Sequence, residues 1–457
     1  MGGARLEDLI AACGGTKALV ARQGALEEAP ALLQKTCGAR RAFVVADENT
    51  MAAAGEETIR ALLRGGAEIA GTLVFPATPE LHAEYDRALE ARDAIARALA
   101  EGGCVPLSVG SGTVNDIVKF AASALSLPYV CVATAASVDG YTSFGAALVK
   151  DGFKQTLSCE APVCVVADLD VLALAPERLS SSGFADLAGK ITAGSDWIVA
   201  DFAANFGAPG ADRIEPVAWA MAQDGLRDYL KLSEGAARGD RRALQALFEA
   251  LSVTGLAMQH ARNSRPVSGA EHLFAHVWEM ENLSFRGLAV THGHKVALGT
   301  LATTAFTEEL FADRNGPPPP PGAYRRPVRA ERRVEARAAF EGSPALAAVL
   351  ATAGEKFDDN GARDKIRAAV GREWKALREK VMDQMMEYSK LRDALAAAGC
   401  PTLPEQIGLS RAEAIAAARR AQMIRVRYNS LDLAWDLGCF ETTLERVGAS
   451  GKYLREA

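Results

Sequence analysis

A chain of 457 residues, 49% of them hydrophobic, is long enough for two or three domains with a large core. Its net charge of -6 gives no electrostatic reason to expect nucleic acid or an anionic membrane as a partner. None of the eight cysteines forms a CxxC pair, Glu7 and Asp8 stand where a secretory signal would be basic, and no apolar run approaches the ~20 residues of a membrane span, so a cytosolic protein with free thiols is expected.

Short β-rich runs fall at Ala42–Ala46, Ile69–Phe75, Val105–Val109, Tyr129–Val132 and Val163–Ala167. Helical patterns such as Leu81–Glu101 lie between them. This alternation predicts a doubly wound parallel sheet. Asp47 closes the first run. Its carboxylate could accept hydrogen bonds from an adenine ribose and repel a 2′-phosphate, favouring NAD over NADP. It could equally be a turn residue before Glu48 and Asn49. Gly110-Ser111-Gly112-Thr113-Val114-Asn115-Asp116 follows the third run and precedes a helical one. Such a turn lets backbone N–H groups approach a pyrophosphate at a helix N-terminus. It lacks the full GxGxxG spacing, so an ordinary strand-to-helix turn stays open. Thr134 to Ser143 follows the fourth run, and small hydroxyl residues there suit a ligand crevice or a plain polar loop. Asp139 before Gly140 reads as a turn.

After about Asp168 the strand signal fades, and from Pro176 the chain reads as helices. The expected architecture is an α/β nucleotide-binding domain with a parallel sheet over 1–168, then an all-helical metal- and substrate-binding domain over 169–457. Pro317–Pro321, flanked by Gly316 and Gly322, reads as an exposed loop. The basic stretch Arg325–Arg337, interleaved with Glu331 and Glu335, reads as a solvated helix face.

Four of the six histidines fall in two segments, His272 with His276 and His292 with His294. On a helix His272 and His276 share one face. Asp186 lies upstream in a Ser- and Gly-rich segment, where a lone Asp also reads as a helix N-cap. One carboxylate with two or three imidazoles suits a catalytic divalent metal with an open position.

The chain resembles the sn-glycerol-1-phosphate dehydrogenases, and most of all their bacterial branch, within the iron-containing alcohol dehydrogenase and dehydroquinate synthase-like superfamily. The matching stretches are GSGTVNDIVK (110–119), TAASVDGYTS (134–143), GFADLAGK (183–190), SGAEHLFAH (268–276), HGHKVALGT (292–300) and IRVRYNSLDLAWDLG (424–438). The resemblance implies NAD(P)H-linked reduction of dihydroxyacetone phosphate with one divalent ion, Zn or Ni, as Lewis acid. It gives Asp186, His272 and His292 to the metal, and Gly110 to Asp116 to the cofactor pyrophosphate. Thr134, Ala135, Ala136, Ser137 and Ser143 would also contact the dinucleotide. Asp139 and His276 would serve substrate and catalysis, with Asp186 also beside the substrate. His294 matches no ligand position. Lys190 and Lys295 are candidates for the substrate phosphate only by proximity to the motifs, and either reads equally as a surface lysine. A homodimer, and no nucleic acid or membrane, is expected. Another polyol or alcohol dehydrogenase of the superfamily, a dehydroquinate synthase-like lyase and an inactive binding protein remain as alternatives.

Overall fold

The computed structural model describes residues 3–324, 328–357 and 361–452. Of the basic stretch 325–337, residues 325–327 therefore lie outside the described residues. The chain divides into two compact units. One comprises Met1–Lys150, Lys154–Leu187 and Arg227–Ser264; the other comprises Asp151–Phe153, Ala188–Leu226 and Arg265–Ala457. The chain's longer helices include α1 (Tyr85–Ala100), α2 (Gly112–Ala124), α3 (Glu177–Ala188), α4 (Lys190–Ala204), α5 (Arg241–Ala261), α6 (Ala270–Met280), α7 (His292–Leu310) and α8 (Arg329–Ala339), followed by the shorter α9 (Ser430–Leu437).

The first unit is built on a six-stranded sheet. In chain order its strands are β1 (Ala18–Arg22), β2 (Arg41–Asp47), β3 (Glu68–Phe75), β4 (Val105–Gly110) and β5 (Val130–Ala133). After the hairpin of β6 (Ala146–Lys150) and β7 (Phe153–Leu157), β8 (Cys164–Asp168) returns to the sheet. The spatial order is β1-β8-β5-β4-β2-β3, and every pairing is parallel. Strands covered on both faces need unbroken apolar runs. Every residue of β4, β5 and β8 is buried, and Val44, Leu107, Val132 and Val166 are core residues. All five expected strands are present, while β1 and the β6–β7 hairpin were not expected. The hairpin turn is Asp151-Gly152, with φ of 52° and 71°. Positive φ at both central residues is what a tight two-residue hairpin requires. The strand order reverses between β2 and β4, which stay parallel: the chain goes from β2 out to β3, then crosses back to lay β4 on the other side of β2. In open parallel sheets ligands bind outside the carboxyl ends of the strands at such a switch point. Asp47 and Gly110 end those two strands.

The second unit is helical, with one ribbon of two residues per strand, β9 (Ser284–Phe285) and β10 (Leu288–Ala289), between α6 and α7. Asp196 of α4 organises it. Its buried carboxylate accepts from the amide N–H of Ala270 at 2.7 Å and of Ser430 at 2.8 Å, the first residues of α6 and α9. One side chain thus satisfies two helix starts. Burial pushes its pKa up to about 6. A Cβ at Gly269 would stand 2.6 Å from an Asp196 carboxylate oxygen, so glycine is needed where the chain enters α6. At Gly299 of α7 a Cβ would meet the Glu271 carbonyl oxygen at 2.2 Å, so α6 and α7 approach each other backbone to backbone.

The basic stretch forms α8, but Arg332 departs from a solvated face. It is buried, with its guanidinium 4.6 Å from the Phe357 ring and 4.3 Å from the Trp435 ring. Burial lowers its pKa, and Glu335 and Gln422 accept from it while the two rings lie against its planar cation. Pro317–Pro321 lies in a loop, with Pro318 buried. All eight cysteines are free thiols, and burial pushes Cys131 and Cys164 up to about 12. Among the described residues no helix is long and apolar enough to cross a membrane.

Candidate metal and dinucleotide site

In the first unit the chain leaves β4 at Gly110 and enters α2 at Gly112. A Cβ at Gly110 would meet the Val114 Cβ at 2.6 Å, and one at Gly112 would meet Val138 Cγ2 at 2.9 Å. Both positions therefore need glycine. Ser111, the residue before the helix, makes no side-chain cap, so the amides of the first turn are left for another acceptor. The side chains further along point elsewhere. Asn115 is buried, donates to the Gly140 carbonyl at 3.1 Å and accepts from the Tyr129 hydroxyl at 3.1 Å. Asp116 accepts from the Ala147 amide at 3.2 Å, and burial raises its pKa. Asp47 is tied into a local cap: its Oδ1 accepts from the Thr50 amide at 2.8 Å.

The loop after β5 is held from several sides. The Thr134 amide donates to Gly110 O at 3.1 Å, joining the two loops expected to touch a dinucleotide. Tyr141 OH donates to Ala135 O at 2.5 Å, and Ser137 Oγ lies 3.1 Å from it. The main brace is Lys119 on α2. Its side chain is fully buried, and Nζ donates to Gly140 O at 2.8 Å, Ser143 Oγ at 2.9 Å and Gly145 O at 3.1 Å, with Asp116 Oδ1 at 3.5 Å.

Asp186 lies not at an N-cap but in the last turn of α3, because the Ser- and Gly-rich segment before it is already helical. Gly183 allows this: its Cβ position is 1.9 Å from Ala136 O, so only a glycine lets the helix lie against the loop. Asp186 is fully buried, and its Oδ2 accepts from the Asp139 amide at 2.9 Å. Asp139 itself is half-buried.

In the second unit His272 and His276 stand on one face of α6, ring centroids 6.3 Å apart, and His292 opens α7 with its ring 5.4 Å from His272 and 6.4 Å from His276. His272 Nδ1 is 2.8 Å from Glu271 Oε1, and His292 Nδ1 is 2.7 Å from Glu279 Oε1. Asp186, His272 and His292 form a group of residues that could hold a metal ion, each offering one ligand atom. His276 and His294 are not in that group.

The iron-containing alcohol dehydrogenase family matches residues 20–176. A protein named glycerol-1-phosphate dehydrogenase (NAD(P)+) from Bacillus velezensis is 33% identical over 358 residues, 76% of this chain and 85% of that one. The chain belongs to the glycerol-1-phosphate dehydrogenase family. A second protein of that name, from Bacillus subtilis, is 37% identical over 46% of this chain and 52% of its own. Among solved structures, a probable glycerol dehydrogenase from Sinorhizobium meliloti 1021 superposes with a TM-score of 0.58 at 16% identity, over 97% of this chain and 99% of that one, so the fold is shared.

In this glycerol-1-phosphate dehydrogenase family member Lys190 and Lys295 are both buried, against the surface-lysine reading that stood beside the phosphate one. The residues that hold the site in place, Glu271, Glu279 and Lys119, carry no signature by themselves. Lys119 and Glu271 stand inside the matching stretches 110–119 and 268–276, and Glu279 lies seven residues beyond His272 and so on the same helical stripe.

Proposed function

We propose that this chain catalyses the reversible NAD(P)H-linked reduction of dihydroxyacetone phosphate to sn-glycerol 1-phosphate, using one divalent ion, zinc or nickel. The observation that carries the proposal is the presence of Asp186, His272 and His292, a group that could hold a metal ion, in a chain that spans 85% of a glycerol-1-phosphate dehydrogenase at 33% identity. The donor set suits such an ion: one carboxylate and two imidazoles, each imidazole with its Nδ1 engaged by a carboxylate. When bound, the ion supplies Lewis acidity toward the substrate carbonyl. A bound nicotinamide would supply hydride chemistry toward the substrate carbonyl carbon.

The chain's own residues do the rest. The first-turn amides of α2, within Gly110 to Asp116, take the pyrophosphate. Thr134 to Ser137 and Ser143 line the dinucleotide, and Asp47 faces the adenine ribose from the end of β2. Asp139 takes a substrate hydroxyl. His276, beside the proposed ligands but outside their set, delivers the proton to the C2 oxygen. Sequence segments 1–168 and 169–457 serve the dinucleotide and the metal with substrate, respectively. The enzyme works as a cytosolic homodimer, without nucleic acid or membrane.

A substrate panel followed by NADH absorbance tests this. Dihydroxyacetone phosphate should be reduced far faster than dihydroxyacetone, simple ketones or aldehydes. Preference for an unphosphorylated substrate would overturn the substrate assignment. A lyase using the nucleotide only transiently would show no net NADH consumption.

A further inference from the structure

The two histidines of the ligand group are each backed by a carboxylate, and both carboxylates come from α6. Glu271 precedes His272 and is fully buried. Its Oε1 accepts from the Gly269 amide at 2.6 Å and lies 2.8 Å from His272 Nδ1, while the Thr192 hydroxyl lies 2.9 Å from its Oε2. Such a concentration of donors around two oxygens is the environment of an ionised, accept-only carboxylate. Glu279 sits two turns after His272 on the same stripe as His272 and His276. It reaches across to α7, 2.7 Å from His292 Nδ1. The close approach at Gly299 fixes the spacing of the two helices.

A neutral imidazole carries one proton, and a carboxylate can only accept it. With Nδ1–H given to glutamate, Nε2 keeps its lone pair. We infer that Glu271 and Glu279 are positioning residues that lock His272 and His292 in the Nδ1–H tautomer, so that both present a bare Nε2 to the divalent ion. Helix α6 would then supply a ligand, the neighbouring His276 and both anchors, leaving α7 to contribute only His292. The inference rests on the metal reading for its purpose but not for its tautomer content.

The test separates the two. In metal-free protein, imidazole 15N shifts report the tautomer directly. The wild type should show Nδ1–H at His272 and His292. Glu279→Ala should return His292 toward the Nε2–H form favoured in free imidazole side chains. Chelator competition should show zinc affinity falling about 10–100-fold, the usual cost of removing such a partner. Glu279→Gln, which keeps an acceptor but loses the charge, should fall between wild type and alanine. Glu271→Gln serves the same purpose at His272, but its burial risks misfolding, so Glu279 carries the test. An unchanged His292 tautomer in folded Glu279→Ala, or zinc affinity within about threefold of wild type, overturns the inference, since the expected loss is at least tenfold. A tautomer shift in a protein whose wild type binds no zinc would uphold the anchoring and overturn the metal reading instead.

Discussion

Replacing Lys119 with methionine should loosen the loop that joins the glycine turn to the rest of the proposed cofactor site. Methionine is similar in length and can fill the space, so the substitution removes the ammonium and little packing. Three acceptors lose a charged donor: Gly140 O, Ser143 Oγ and Gly145 O. Gly140 O is cushioned, since Asn115 Nδ2 at 3.1 Å and Ser143 Oγ at 3.0 Å still donate to it. Asp116 loses its cation at 3.5 Å but keeps the Ala147 amide. Breaking a buried pair by removing one partner costs about 3–5 kcal/mol, and the surviving donors place this case near the lower end. For a unit of this size about 3 kcal/mol lowers the melting temperature by roughly 6–12 °C. Thermal and urea unfolding followed by circular dichroism measure this, with NADH titration of the folded variant beside them. Cofactor affinity should weaken because Ser143 and the Gly140 turn lose their anchor. A change below about 0.5 kcal/mol, the range of ordinary surface substitutions, would refute the claim that Lys119 braces the loop.

Gly183→Ala should fail more severely than its size suggests, because the added Cβ would fall 1.9 Å from Ala136 O; soluble protein of wild-type melting temperature and activity would contradict that packing. His276→Ala should retain bound metal while turnover falls ~10²–10⁴-fold, the range of general acid–base groups; metal content falling in step with activity would make His276 a ligand. Asp47→Gly should narrow an NADH preference in kcat/KM and cost only a few tenths of a kcal/mol through the lost cap, since glycine is itself a tolerated cap residue. Equal use of both cofactors by the parent, with no change in the variant, would remove Asp47 from the site.

The parallel sheet was legible because its interior strands are buried on both faces and read as unbroken apolar runs. Edge strand β1 (ALVAR) was not, since five residues at the sheet edge carry too little pattern. The β6–β7 hairpin was readable in principle: Asp151-Gly152 is a turn signal that the neighbouring Lys150 and Phe153 did little to advertise. The candidate metal group Asp186, His272 and His292 could be proposed from residue types and motif likeness. Asp186 was the ambiguous member, because a Ser-rich approach reads as a helix start until Gly183 is seen lying against Ala136 O. Burial of charged groups was the least legible level. Lys119 is held inside by acceptors more than twenty residues away in sequence, Lys190 and Lys295 are buried as well, and Arg332 lies against the rings of Phe357 and Trp435.

The central claim, metal-dependent reduction of dihydroxyacetone phosphate, is tested most directly by one reconstitution. Purified protein is stripped with chelator, assayed with dihydroxyacetone phosphate and NAD(P)H, then reassayed with zinc or nickel, and the glycerol phosphate formed is resolved by chirality. The expected result is negligible turnover in stripped protein, recovery at about one ion per chain, as a single three-ligand site with an open position requires, and sn-glycerol 1-phosphate equal to the NAD(P)H consumed. Turnover indifferent to metal, or formation of the opposite enantiomer, would contradict it.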